Sequence, residues 1–180
     1  SILFLLIKNF SVKGSFSNMN QYNHLLSSTG TGFPTDVWVP ATDDIKPQSA
    51  MQGAIGIAYD IPKTRINIEL EGYYKKMDNI ILYKEGAVFF DLSNASGNQQ
   101  TTPDWQNLVT SGQGWSYGTE LLIKYDYNRF SGWIAYTLSW TKLQFDELNY
   151  GKIFWANYDR RHDLALVGIY NLNDNISVSA

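Results

Sequence analysis

The 180-residue chain has no cysteine, which excludes disulfide frameworks and thiolate metal sites. It also lacks a basic run: fourteen Lys and Arg stand against seventeen Asp and Glu, for a net charge of −3. No stretch of this chain is built to track a phosphate backbone, so nucleic acid is not an expected partner. Long apolar runs are missing as well. The longest, Ser1 to Ile7 (SILFLLI), falls far short of the roughly 20 residues that a spanning helix requires. The N-terminus has neither an initiating Met nor the basic start and small-residue cleavage site of a signal peptide, so the chain is expected to be a fragment.

What is abundant is aromatic: twelve Tyr, nine Phe and six Trp, beside fourteen Gly and only five Pro, a mixture that favours strands over helices. The pattern is more telling than the composition. From Arg65 to Lys76, Ile66, Ile68, Leu70, Gly72 and Tyr74 alternate with Arg65, Asn67, Glu69, Glu71, Tyr73 and Lys75. A period of two puts hydrocarbon on one face and charge on the other, which is strand geometry.

The same alternation recurs four more times. Trp115, Tyr117, Thr119, Leu121, Ile123 and Tyr125 oppose Gly114, Ser116, Gly118, Glu120, Leu122 and Lys124, with Leu122 the one misfit. Phe130, Ile134, Tyr136, Leu138 and Trp140 form the next set, broken by Trp133 on the other face. Met51, Gly53, Ile55, Ile57 and Tyr59 make another, as do Phe10, Val12, Gly14 and Phe16. The stretch from Arg161 to Tyr170 is apolar on both faces after Asp163, and pattern alone does not orient it.

Connections come in two sorts that alternate. Tight turns are expected at Lys8-Asn9, Asp60 to Lys63, Tyr127 to Arg129 and Asn173 to Asn175, from residues that tolerate turn dihedrals. Long connections are expected at Ser27 to Gln48, Glu85 to Gly112 and Phe145 to Asp159. Short turns at one end and long loops at the other are the arrangement of outer-membrane barrels. Thr64 to Tyr83 and Asn9 to Leu26 read as strands long enough to cross a bilayer, which takes roughly 9 to 11 residues. Aromatics gather near both strand ends: Phe10, Tyr59, Tyr125, Phe130 and Tyr170 by the short turns, and Tyr22, Tyr74, Trp115, Tyr117 and Trp140 toward the long loops. Two such girdles are interfacial anchors.

The expected fold class is therefore all-β: an antiparallel up-and-down transmembrane β-barrel segment of about eight strands, an open curved sheet when taken alone. Several stretches carry a family resemblance: Met19 to Leu26 (MNQYNHLL), Gly30 to Pro47 (GTGFPTDVWVPATDDIKP), Glu71 to Asn79 (EGYYKKMDN), Gly112 to Glu120 (GQGWSYGTE), Gly132 to Trp140 (GWIAYTLSW) and Tyr158 to Asp163 (YDRRHD). In order and spacing they resemble the barrel of TonB-dependent outer-membrane receptors, particularly the type abundant in Bacteroidota.

The resemblance implies a barrel of about 22 strands around a plug domain, in the bacterial outer membrane, importing a scarce nutrient with energy delivered through TonB. It places residues 1–180 in the barrel domain, with the plug, the TonB-contacting segment and the closing strands outside the chain. The partners it implies are outer-membrane lipid, the plug of the same polypeptide, TonB, and a surface lipoprotein. The transported ligand stays open among glycan, siderophore, cobalamin and peptide. Alternatives are a passive porin, which has the same wall without a plug, and a secreted all-β glycan-binding module, in which a second sheet covers the apolar face.

Enzyme chemistry is not indicated: there is no nucleophile triad, phosphate loop or calcium-loop spacing. His24 and His162, the two histidines, lie on different strands without a second ligand nearby, and no cofactor is expected. Residues expected to face the lumen or plug are Arg65, Glu69, Glu71, Glu120, Lys124, Arg160, Arg161 and Asp163. For Glu69, Glu71 and Glu120, ion pairing with Arg65, Lys75 and Lys124 across strands is favoured over acid–base catalysis. The Arg160 to Asp163 stretch is expected to fix the preceding loop or touch the plug. Candidate ligand contacts in the long loops are Asp36, Trp38, Trp105, Phe154 and Trp155, whose aromatic rings could equally pin the loops together.

Overall fold

A computed structural model describes residues 2–26, 37–85, 105–173 and 176–180. Eight strands follow one another in a single antiparallel sheet: β1 (Ile2–Ile7), β2 (Phe10–Gln21), β5 (Gln48–Ile61), β6 (Ile66–Tyr83), β7 (Val109–Tyr127), β8 (Phe130–Phe145), β10 (His162–Asn173) and β11 (Ile176–Ser179). A short strand, β9 (Phe154–Trp155), adds to the upper end of β8. Among the described residues the chain runs up and down between neighbours, departing from that path for a hairpin of β3 (Asn23–Leu26) and β4 (Val37–Pro40), which forms its own two-stranded sheet. Among the described residues no helix is long and apolar enough to cross a membrane, which says nothing against crossing by strands.

The expected strand from Asn9 to Leu26 is thus two strands. β2 ends at Gln21 and the chain bends at Tyr22, where the Tyr22 carbonyl accepts the Ala41 amide at 2.7 Å. Beyond that bend the backbone pairs with β4 rather than β5.

Cross-strand register puts all five alternating apolar sets on the same face. One row runs Val12, Ile57, Leu70, Leu121, Tyr136 and Leu164 across six strands, and the next runs Phe10, Tyr59, Ile68, Ile123, Ile134 and Leu166. The register also orients the stretch that pattern left open: Leu164, Leu166 and Tyr170 join the apolar face. From Ile66 to Tyr74 the rows cover about 27 Å along the strand at roughly 3.4 Å per residue. At a tilt of about 40° that is about 21 Å of height, close to the apolar band of a membrane barrel.

Among the described residues no protein layer covers these rows. Ile55 is 65% exposed, Leu70 44%, Leu164 61% and Leu166 60%. Buried apolar side chains sit instead at the long-loop end. A bulge at Asn79, with φ 58° in a left-handed conformation that asparagine tolerates, shifts the pairing of β6 with β7 by one residue. Its side-chain Nδ2 donates to the Pro47 carbonyl at 3.0 Å. After the bulge Ile81 and Tyr83 point to the apolar face, where Ile81 packs with Leu26, Val39, Ile45 and Val109 under the β3–β4 hairpin. Ile80 and Leu82 point to the other face and pack with Leu143, Phe145, Leu148 and Ala156.

Candidate functional site

The polar face is organised by charge. Lys124 Nζ donates to Glu69 Oε1 at 2.7 Å, one of the expected cross-strand pairs. Glu71 takes a different partner from those expected: Lys13 Nζ on β2, at 2.7 Å. Lys13, Gly56 and Glu71 occupy one row, so the pair reaches over the whole of β5. Gly56 makes room for it: a Cβ there would lie 2.8 Å from Lys13 Cε and 3.2 Å from Glu71 Oε2. Glu120 stands directly opposite Glu71, a like-charged pairing that the Lys13 ammonium relieves. Asp163 continues the same row through Thr137. Asp60 and Asn67 add a hydrogen bond of 2.8 Å, and Ser116 and Thr141 one of 3.2 Å. Leu122 and Trp133, the two misfits, stay on this face, Leu122 beside Ala135 and Trp133 beside Val167.

Two residues expected on this face are elsewhere. Arg65 is not on a strand. It sits in the turn from β5 to β6 at φ 60°, and its carbonyl accepts the Asp126 amide at 3.3 Å. Arg161 precedes β10 and turns to the apolar face, its guanidinium 5.1 Å from the Trp140 ring centre and 4.5 Å from that of Trp155. A stacked guanidinium gains more from two electron-rich rings than from an open polar wall. Arg160 remains exposed, 3.7 Å from Asp163.

The YDRRHD segment works as a clamp on β8. Asp159 Oδ1 accepts the Thr141 amide at 2.7 Å, and its Oδ2 accepts Arg161 Nη2 at 3.0 Å. Ser139 donates its amide to the Arg161 carbonyl at 3.1 Å and its hydroxyl to the Arg160 carbonyl at 2.9 Å. His162 Nδ1 lies 2.7 Å from the Tyr136 hydroxyl, on the apolar face. These contacts return the long loop to the sheet and start β10 in register.

Of the candidate loop contacts, Trp105 and Phe154 pack against buried clusters. Trp105, in a short 3-10 turn, packs against the cluster around Ile81. Phe154 packs against the cluster around Phe145, with ring centres 6.2 Å apart. Trp38 stands out from the hairpin at 62% exposure, paired across it with Leu25. Trp155 carries Lys142 as well as Arg161, with Lys142 Nζ 4.9 Å from its ring centre. Asp36 lies outside the described residues.

The aromatic girdles have a geometric counterpart. Tyr74, Tyr117 and Trp140 stack in one row of the apolar face, at 6.4 and 5.5 Å between centres. At the short-turn end Tyr59, Tyr125, Phe130 and Tyr170 share that face, with Tyr125 and Phe130 at 5.9 Å. Among the described residues no group of three His, Cys, Asp or Glu gathers as a metal site would.

Neither a family model nor a curated protein matches the chain. Solved structures do. The FpvAI–pyocin S2 complex matches with a TM-score of 0.60 at 15% identity, over 98% of this chain and 21% of that one. The ferripyoverdine receptor of the outer membrane of Pseudomonas aeruginosa, crystallised with ferripyoverdine, matches with a TM-score of 0.59 at 17% identity, again over 98% and 21%. This chain spans about a fifth of the length of those chains. At such identities the likeness is one of fold, and the fold is that of a section of an outer-membrane receptor's β-barrel wall.

Proposed function

We propose that this chain forms part of the barrel wall of a TonB-dependent receptor in the bacterial outer membrane, which binds a scarce nutrient at its long loops and imports it actively. The observation that carries the reading is the apolar face left without a covering layer among the described residues: six-strand rows of Ile, Leu, Val and aromatic side chains stand exposed or half-exposed, backed by ion-paired polar rows. A soluble sandwich has to cover such rows with a second sheet. A membrane strand leaves them to acyl chains and keeps its charges toward the lumen.

Support for a receptor over a simple pore comes from the fold likeness and from the motif series Gly112 to Glu120, Gly132 to Trp140 and Tyr158 to Asp163. That series also supports the Bacteroidota type. On this reading Glu69, Glu71, Glu120, Lys124 and Asp163 face the lumen and its plug, TonB acts through a segment outside this chain, and Trp38 is the most exposed of the described candidate loop aromatics, placed to meet a ligand.

Fractionation of cells expressing the full-length protein tests the reading. Recovery in the outer-membrane fraction, with a heat-dependent gel mobility, is expected; recovery in a detergent-free soluble extract would defeat it. Loss of ligand-dependent growth on deleting TonB separates active import from passive passage.

A further inference from the structure

Lys142, Arg161, Trp140, Trp155 and Tyr117 meet where β8, β9 and the start of β10 come together, all on the apolar face. Lys142 is 5.8 Å from the Tyr117 ring centre and 4.9 Å from that of Trp155, and Arg161 is 4.5 Å from the latter. Two cations therefore lean on one indole. Asp159 neutralises Arg161, at 3.0 Å with its carboxylate only 10% exposed. Lys142 has no carboxylate partner among the described residues. On the same level Lys76 is paired with Asp78 at 3.2 Å, so the group retains about one unit of positive charge.

Its height matters as much as its charge. Lys142 lies one row beyond the Tyr74, Tyr117 and Trp140 stack, which ends the hydrocarbon-facing rows. A cation facing hydrocarbon is costly, whereas one at the aromatic belt meets the headgroup layer. From the convergence of Lys142 and Arg161 on Trp155 at that level, we infer a binding site for the phosphate-bearing headgroup of an outer-leaflet lipid. The rings supply a rigid wall for sugar or glycerol carbons, and Lys142 supplies the charge that no carboxylate among the described residues meets. The clamp at Asp159 then ties the loop return to the lipid as well as to β8.

This inference rests on the membrane reading, so the test begins with protein already recovered in membranes. Full-length protein is purified in neutral detergent and its retained lipid measured by native mass spectrometry, with lipid A, enzymatically dephosphorylated lipid A and inorganic phosphate as probes. Lipid A is expected to be retained over its dephosphorylated form, with Lys142→Gln lowering retention about fivefold and Lys142→Arg restoring it. Heat-dependent gel mobility confirms that both variants are folded. Equal retention of the two lipids, no change in Lys142→Gln, or displacement of lipid A by millimolar inorganic phosphate would each overturn the site. Failure to recover the protein in membranes at all overturns the barrel reading instead.

Discussion

Below Asn79 and above it, the same strands obey different rules. In the lower rows of β6, Leu70 is 44% exposed with charged Glu69 and Glu71 on the other side. Eleven residues later Ile81 is 4% exposed, and apolar side chains are buried on both faces, under the β3–β4 hairpin on one and beneath Phe145 and Leu148 on the other. On the membrane reading proposed above, what changes is the surroundings. A wall bathed in lipid needs no protein cover for its hydrocarbon, and the part that rises into water has to bury it in the ordinary way. The bulge at Asn79 reverses the facing of β6 where one regime gives way to the other.

The largest expected effect lies above the boundary. Phe145 is 1% exposed, so Phe145→Ala should cost about 3–5 kcal/mol of local stability, read as lost hydrogen-exchange protection in the upper ends of β7 and β8. That cost should not depend on lipid chain length. Below the boundary Leu70→Arg should cost about 2–4 kcal/mol of folding into vesicles if it lies near mid-bilayer, whereas its neighbour Glu69→Gln should be mild. The opposite order in urea titrations would show that the two faces have been exchanged.

A smaller effect tests the polar rows. Gly56→Val places carbon where Lys13 crosses β5, and should remove most of the Lys13–Glu71 coupling. With both groups partly exposed, that coupling is worth about 0.2–1 kcal/mol. In a double-mutant cycle, Lys13→Gln should add almost nothing in the Gly56→Val background; full additivity would show that Gly56 is not what lets the pair form.

The smallest concerns the hairpin. His24 is 1% exposed, its Nε2 is 3.1 Å from the Lys46 carbonyl, and its Nδ1 has no hydrogen-bond partner among the described residues. Burial holds its pKa below the ordinary 6.5, with the Lys46 carbonyl opposing only in part. The neutral ring is therefore the folded form: its stabilisation is complete above pH 6.5 and is lost as pH falls from there through the lowered folded value. Hydrogen exchange in β3 and β4 should quicken as the pH is brought down through that window, after correction for the intrinsic exchange rate, and His24→Gln should flatten the response.

Much of this was legible in the residues. The alternation through Ile66, Ile68 and Leu70, and its four repeats, predicts strands and faces that the register reproduces. The tight turn at Tyr127 to Arg129 is also met, with Asn128 at φ 56°. The break at Tyr22 escaped because neither Gly nor Pro marks the boundary between β2 and β3, and the competing partner β4 ends the pairing with β5. Arg161 escaped because strand parity does not apply to a residue ahead of the strand, where ring stacking governs its direction. Lys13 escaped because its partner Glu71 is far along the chain, on a strand two places across the sheet.

Within each uninterrupted stretch of strand, which side chains share a face was determined by the chain itself, because successive side chains on extended backbone point to opposite sides whatever the strand pairs with. Which of those side chains touch, and what covers them, was decided only by the folded sheet. Register is set by turns, by the bulge at Asn79 and by neighbours distant in sequence, so the Lys13–Glu71 bridge over Gly56 and the placing of two cations on Trp155 exist only once the strands are side by side.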